Sequence, residues 1–404
     1  MTWFGFVRLL KQIYGRGLPD VDWIQKQGLL AVKIGQIHAL RIDFLDQQRC
    51  ERLARLFRHT DAVPPEGVEA LLREYLSDEQ RAAIEDIDRV PLASASVGQV
   101  HTARVSGGEK VVVKLVKRDV REDFLRDVRN VRNFLRVVLL AYPRLRQVGD
   151  PLGILEDVRG YTLSELDLCN EINGQKTLLR IYEENKNRFD LSALRFPKLY
   201  DELSNKSVMV SEYLPGRTFD ELLDEGALSY DELLNLFKVH MFYVFGVGVF
   251  HGDIHPGNII YHDGHIYFVD TGYIGAVGNK IRAGLYGFMK CLAYFDYEGC
   301  ALYLNKMADR EISGAAYEAY RRKFLDLYAD FTDTRVSKVS LTTKMMHTIK
   351  LGVISGMEFE RGIFPIIRSL MYLDGMVLRC NPDAILMRDM RPFLEESEGF
   401  DLGV

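Results

Sequence analysis

Residues His251–Asp270 read HGDIHPGNIIYHDGHIYFVD, and no other stretch of the 404-residue chain constrains its fold as much. Two apolar-rich runs, 259–262 and 265–269, flank Asp263-Gly264. That dipeptide accepts positive φ at both positions and favours a two-residue hairpin turn, whose twist matches the strands it joins. Such a turn makes His262 face His265 and Asn258 face Val269, so Asn258 and Asp270 emerge together at the open end. Asp253 stands five residues before Asn258, in a loop that Gly252, Pro256 and Gly257 keep out of helix and strand.

Three oxygen-bearing side chains thereby converge, and hard oxygen donors suit Mg²⁺, which binds through one or two carboxylates together with substrate phosphates. The D-x-x-x-x-N spacing followed by a further aspartate is also the form of a kinase catalytic loop and its metal ligands. Zinc is the alternative, because His251, Asp253 and His255 alternate and zinc accepts imidazole and carboxylate. Against zinc, the glycines and proline spoil a strand, no later His or Cys cluster completes a site, and His262 and His265 fall at the turn. His251 and His255 then read as residues that order the loop.

A kinase also needs a lysine on the nucleotide phosphates. VVVK places Lys114 at the end of an apolar strand, as in the V-A-I-K pattern, although a strand-ending lysine also reads as a solvated edge. Its weight comes from chain order: strand lysine, acidic helix, loop Asp and Asn, then Asp.

Around these motifs, residues 1 to about 90 read as helical, with AVKIGQIHALRIDFL and PPEGVEALLREYL at helical spacing. VGQVHTARV, SGG and EKVVVKLV then read as a hairpin of two β-branched strands. A charged helix over 120–145, one helix over SELDLCNEINGQKTLLRIY and an alternating strand in LSNKSVMVSEYLPG follow, the last ending at Pro215-Gly216. DELLNLFKVHMFYVFGVGVF reads as a strongly apolar helix, and residues 280 to about 390 read as wholly helical. The expected domains are a helical extension over 1–90, a sheet-containing lobe over 91–214 and a helical lobe over 215–404, an α+β arrangement.

Composition narrows the functional class. A net charge of -5 and a pI near 6.0 argue against a nucleic-acid partner, which needs a strongly basic face. The five cysteines are widely spaced, without a C-x-x-C pair, and fit a reducing compartment. The longest apolar run, Met241–Phe250, is short of the ~20 residues that span a bilayer. The basic, amphipathic start (Arg8, Lys11, Arg16) lacks the pattern of a signal peptide, and reads either as a helix docked on its own domain or as a membrane-surface segment.

From about residue 25 to 275 the chain resembles the UbiB family, the ADCK and aarF group of atypical kinases. The diagnostic pieces are KIGQ (Lys33–Gln36) with R-x-D-x-L over 41–45, PLASASVGQVH in place of a GxGxxG loop, and ELD (Glu165–Asp167) with Glu171 six residues beyond Glu165. The resemblance implies a bilobal kinase-like fold in which Lys114 contacts ATP phosphates and pairs with Glu171. It implies Asp253 as catalytic-loop aspartate, Asn258 and Asp270 as Mg²⁺ ligands, and Glu212, Tyr213 and Leu214 as the adenine-binding hinge. Ala93, Ser94, Ala95, Ser96, Val97 and Gly98 would form the nucleotide loop. Lys33, Gln36, Glu165 and Asp167 would meet over the active site, with a regulatory or catalytic role. From the residues alone, Gly35 costs ~1 kcal/mol in a helix relative to Ala, so a close contact should compensate, while Lys33 and Gln36 share a face. Asp167 and Glu171 share one by i,i+4 spacing, and the three acids also read as a solvated helix face. Thr271 stands where the family's D-F-G has phenylalanine, which removes an apolar side chain from beneath the metal site.

These observations lead to an expected Mg²⁺- and ATP-dependent kinase or ATPase, with Asp253 as base or water-positioner, and the resemblance implies a role in quinone or other isoprenoid-lipid metabolism. The expected partners are ATP, an isoprenoid-lipid or quinone-precursor ligand and a peripheral contact with the inner face of a membrane from a cytoplasmic chain, with a homodimer as candidate assembly. The rivals are a small-molecule phosphotransferase of aminoglycoside- or choline-kinase type, whose HGD-x-H-x-x-N is similar, and a nucleotide-binding protein without turnover.

Overall fold

The computed structural model describes residues 1–39, 45–57, 62–117, 120–142, 151–359 and 363–396. Arg41 and Asp43 of the R-x-D-x-L motif lie outside the described residues. Among the described residues the strands are, in chain order, β1 (Ile84–Glu85), β2 (Ala93–Ser94), β3 (Gly98–Val105), β4 (Lys110–Val116), β5 (Leu194–Arg195), β6 (Val208–Glu212), β7 (Arg217–Thr218), β8 (Val249–His251), β9 (Ile259–His262), β10 (His265–Phe268) and β11 (Ile274–Ala276). The chain divides into two compact units: Met1–Ile172 with Lys198–Tyr213, and Asn173–Pro197 with Leu214–Val404. One boundary falls inside the Leu168–Asn185 helix, and another follows Tyr213.

The first unit carries a sheet in the order β1-β3-β4-β6, with β2 paired to β3. β3 and β4 form the expected hairpin, in antiparallel register from Gly98↔Val116 to Arg104↔Lys110. Val111, Val113 and Leu115 of β4 are buried with Val68, Leu72, Val208 and Val210. Met209 packs on the other side with Val116, Leu166, Leu168 and Ile172. β6 is consequently buried at four successive positions, not in the alternation that its sequence suggested, because both of its faces are covered. β1 pairs Ile84 with Val105 and Glu85 with Arg104, so the segment before residue 90 is not wholly helical. Two residues are too few to show a strand period, and only pairing with β3 makes them one.

Helices fill the rest of this unit. Trp3–Tyr14 buries Phe6, Leu9 and Ile13 and leaves Trp3, Phe4, Val7 and Tyr14 exposed. In the Leu29–Ala39 helix, a Cβ at Gly35 would stand 2.4 Å from Leu56 Cδ1. That close approach is the compensation its helix penalty demanded. The Val120–Ala141 helix falls where the charge pattern predicts one. ELD does not lie within one continuous helix, as its sequence suggested: Pro151–Glu165 ends, and Leu168–Asn185 begins after Leu166-Asp167. Asp167 Oδ1 accepts from Cys169 N–H at 3.1 Å and caps the second helix, a role for which short carboxylates compete against helix interiors. Asp167 and Glu171 therefore do not share a helix face by i,i+4 spacing.

The second unit is mostly helical and holds a sheet in the order β5-β10-β9-β7 and the pair β8-β11. The predicted hairpin forms in the predicted register, with His265↔His262 and Phe268↔Ile259 paired. Asp263 and Gly264 have φ of 47° and 75°, as a type I′ turn needs. The apolar segment before the loop is an α-helix only over Tyr230–Met241; a π-helical turn, Phe242–Val247, follows. Gly248 ends it with φ 81° and donates to Tyr243 O at 2.8 Å, and the chain enters β8. The segment from 280 to 390 is helical between its connections, with Arg310 and Glu358 joined as one antiparallel bridge.

Candidate active site

In the first unit, the Ala- and Ser-rich loop closes on itself. Ala95 N–H donates to Gly98 O at 2.8 Å, and Lys117 N–H to Val97 O at 3.0 Å. Gly98 admits no side chain, since a Cβ would lie 2.6 Å from the Leu115 carbonyl oxygen. Lys117 Nζ donates to Ser94 Oγ at 3.1 Å and to Ala95 O at 2.8 Å. The motif reading did not single out this lysine, although its position three residues after Lys114 was visible. Beneath the loop, His101 Nδ1 bonds Asp88 O at 2.7 Å, which leaves Nε2 to accept from Gln99 at 2.7 Å. Gln99 Oε1 also accepts from Val63 N–H at 2.7 Å, so the GQVH residues brace the loop from a buried position.

Lys114 projects from β4, and its Nζ lies 2.6 Å from Glu171 Oε2. Glu171 is buried in the first turn of the Leu168–Asn185 helix, where the helix dipole favours a carboxylate. Lys33, buried on the Leu29–Ala39 helix, forms an ion pair with Glu165 and stands 5.8 Å from the centre of the Tyr161 ring. Gln36 does not join them: its Nε2 donates to Leu56 O at 3.0 Å. Of the four KxGQ and ExD side chains, Lys33 and Glu165 meet, whereas Gln36 and Asp167 hold backbone groups. Glu212 N–H donates to Lys198 O at 2.8 Å, and Glu212 Oε2 accepts from Lys198 N–H at 3.0 Å. Tyr213 carries Lys110 Nζ 3.7 Å from its ring centre, and Leu214 is buried.

In the second unit, Asp253 and Asn258 touch: Asn258 Nδ2 donates to Asp253 O at 3.0 Å. With Nδ2 so used, Oδ1 is the amide atom left to ligate a cation. Asn258 O accepts from Val269 N–H at 3.0 Å, which brings the residue preceding Asp270 alongside Asn258, as the hairpin requires. Asp270 is exposed and has φ 53°, a left-handed conformation that aspartate tolerates better than most residues. Buried Thr271 follows it, and Gly174 of the Leu168–Asn185 helix comes so close that a Cβ there would meet Thr271 O at 2.0 Å.

The histidines of this loop are structural. His251 Nδ1 accepts from Asp253 N–H at 3.2 Å, so its proton sits on Nε2 and is given to Val269 O at 3.0 Å. Burial holds this imidazole below its ordinary range, while the Val269 bond and the charges of Asp253 and Asp270 pull the other way. His255 Nδ1 accepts from Gly257 N–H at 3.0 Å and closes the turn before Asn258. His262 and His265 flank the hairpin turn. Among the described residues, no three His, Cys, Asp or Glu side chains gather as a metal would require. Asp253, Asn258 and Asp270 offer oxygen donors, the type that would suit a hard cation sharing its ligands with phosphate. Two residues beyond the motifs, Arg368 and Tyr372, also reach this loop.

Comparison with known proteins bears on the family and the fold. Residues 55–304 match the ABC1 atypical kinase-like domain. A probable protein kinase UbiB from Shewanella piezotolerans is 30% identical over 92% of this chain and 68% of its own length. An aarF domain-containing protein kinase of Arabidopsis thaliana chloroplasts is 24% identical over 95% of this chain and 74% of its own. Among solved structures, Rv3197 of Mycobacterium tuberculosis, determined with erythromycin, is similar in fold, with a TM-score of 0.60 and 19% identity, over 98% of this chain and 94% of that one.

Proposed function

This chain belongs to the UbiB family of ABC1 atypical kinase-like proteins, and from that premise we propose that it binds Mg-ATP and acts as a kinase-type phosphotransferase or ATPase. The observation that carries the reading is the Lys114–Glu171 ion pair, because a lysine held by a buried glutamate is the arrangement that presents an ammonium to nucleotide phosphates. The Ala93–Gly98 loop would cover the phosphates, and Glu212–Leu214 would take the adenine. Asn258 and Asp270 would hold Mg²⁺, whose chemistry when bound is to neutralise charge developing on the phosphoryl oxygens. Asp253 would accept the proton of the attacking hydroxyl or orient a water. Catalysis of this kind is mostly positioning and charge stabilisation.

The acceptor class implied by the family resemblance is an isoprenoid lipid or quinone precursor. The proposed peripheral membrane contact is supported by the Trp3–Tyr14 helix, whose exposed Trp3, Phe4, Val7 and Tyr14 accompany Arg8 and Lys11. Among the described residues no helix is long and apolar enough to cross a membrane.

A thermal-shift series with ATP, with and without Mg²⁺, tests the nucleotide reading. A ligand at about 100 times its Kd stabilises by about 2.7 kcal/mol, so wild type should shift upward only with both present, and Asp270→Asn should lose the Mg²⁺-dependent part. Absence of any shift in wild type sinks the proposal. Stabilisation without turnover, unchanged by Asp253→Asn, replaces it with a nucleotide-binding switch.

A further inference from the structure

The Ile363–Cys380 helix lies outside residues 55–304 that match the kinase-like domain. Arg368 and Tyr372, four apart and so on one face of it, both reach the loop after β8. Arg368 Nη2 donates to the Gly252 carbonyl at 2.5 Å, and its guanidinium carbon lies 4.9 Å from the centre of the Tyr273 ring. Gly252 N–H in turn donates to Tyr273 O at 2.9 Å, so one arginine spans the start of the Asp253 loop and the segment just after Asp270. The packing leaves Gly252 no room for a side chain, since a Cβ would stand 2.3 Å from Tyr273 Cδ1. One turn further along the helix, the Tyr372 ring packs edge-on against His255, with centroids 5.3 Å apart and planes at 88°.

We propose that Arg368 and Tyr372 are positioning residues for phosphoryl transfer: Arg368 fixes the loop backbone at Gly252, and the Tyr372 ring holds His255 at the turn between Asp253 and Asn258. The inference rests on the reading of Asp253 as base or water-positioner. Its physical basis is that the reaction depends on placement, and a displacement of ~1 Å can cost ~100-fold in rate.

Steady-state ATP turnover with Mg²⁺ tests it on the full chain. Tyr372→Phe keeps the ring against His255 and should match wild type, whereas Tyr372→Leu removes the ring. The kcat of Tyr372→Leu should fall about tenfold, with KM for ATP within about twofold of wild type and the Mg-ATP thermal shift retained. Arg368→Lys, which keeps a donor for Gly252, should recover part of the kcat lost in Arg368→Met. A Tyr372→Leu variant with wild-type kcat overturns the inference alone, as does a loss of kcat accompanied by an equal loss of ATP affinity and a lowered Tm. A wild type that binds Mg-ATP but does not turn it over removes the reading of Asp253, and this inference with it.

Discussion

Lys114 and Glu171 stand 57 positions apart in the chain, yet Nζ and Oε2 lie 2.6 Å apart, with the side chains only 20% and 7% exposed. Removing one partner of such a pair withdraws a counter-charge from the other, which costs ~3 kcal/mol when burial is nearly complete. Lys114→Met should therefore lower Tm as well as abolish turnover. Adding Glu171→Gln, which removes the second charge of the pair, should recover part of the Tm and none of the turnover. Thermal denaturation and a phosphate-release assay on the single and double variants separate the two effects.

Lys33 makes an ion pair with Glu165 from a largely buried position. If that pair regulates access to the nucleotide, Lys33→Ala should change ATP turnover or allow autophosphorylation, read by phosphate release and by intact-mass measurement after incubation with Mg-ATP. A variant that is less stable but has unchanged turnover and no phosphate incorporation would assign KIGQ to packing.

Gly174→Ala should destabilise the protein, against the usual gain of ~1 kcal/mol for alanine in a helix interior. The reason is a Cβ placed 2.0 Å from the Thr271 carbonyl oxygen, a backbone atom that cannot rotate away. We expect Tm to fall by several degrees, and the Mg²⁺-dependent shift to weaken with it because Asp270 adjoins Thr271. Differential scanning calorimetry with and without Mg-ATP measures both. A higher Tm would show that the helix can withdraw from the loop.

His240 is buried against Phe250, its Nδ1 has no hydrogen-bond partner, and burial, aided by the nearby His251, lowers its pKa to about 3. In the unfolded chain it titrates near 6.5, so between about pH 6.5 and 3 the unfolded state binds the extra proton. The stability contributed by neutral His240 is fully present above pH 6.5 and is lost progressively as pH falls toward 3, by about 1.4 kcal/mol per pH unit. His240→Phe should flatten that slope in urea titrations at successive pH values. An unchanged slope would remove His240 as its source.

Much of the loop and hairpin in the second unit was legible in the chain because it is local. The Asp263-Gly264 turn places Asn258 beside Val269 through a register counted in single residues, and the structure has that register. The β3–β4 hairpin that carries Lys114 was legible for the same reason, as was the need for a contact against Gly35. Where the reading failed, a contact distant in sequence overrode a local pattern. β1 exists only because β3 pairs with it, and β6 does not alternate because apolar clusters cover both its faces. The ELD helix breaks because Asp167 caps the helix that follows.

By itself, then, the sequence determined which residues can carry the chemistry: oxygen donors with fixed loop spacing, a strand lysine, and glycines where the backbone turns or is approached closely. These follow from φ/ψ preference and from spacing along a single element. Only the tertiary structure decided which partner each polar side chain takes. Gln36 goes to the Leu56 carbonyl while Lys33 goes to Glu165, and Lys117 reaches Ser94. Arg368 and Tyr372, more than a hundred residues after Asp253, come to lie on its loop. No periodicity encodes such pairings, because a long side chain can satisfy its charge or donors in several ways, and packing between distant elements selects among them.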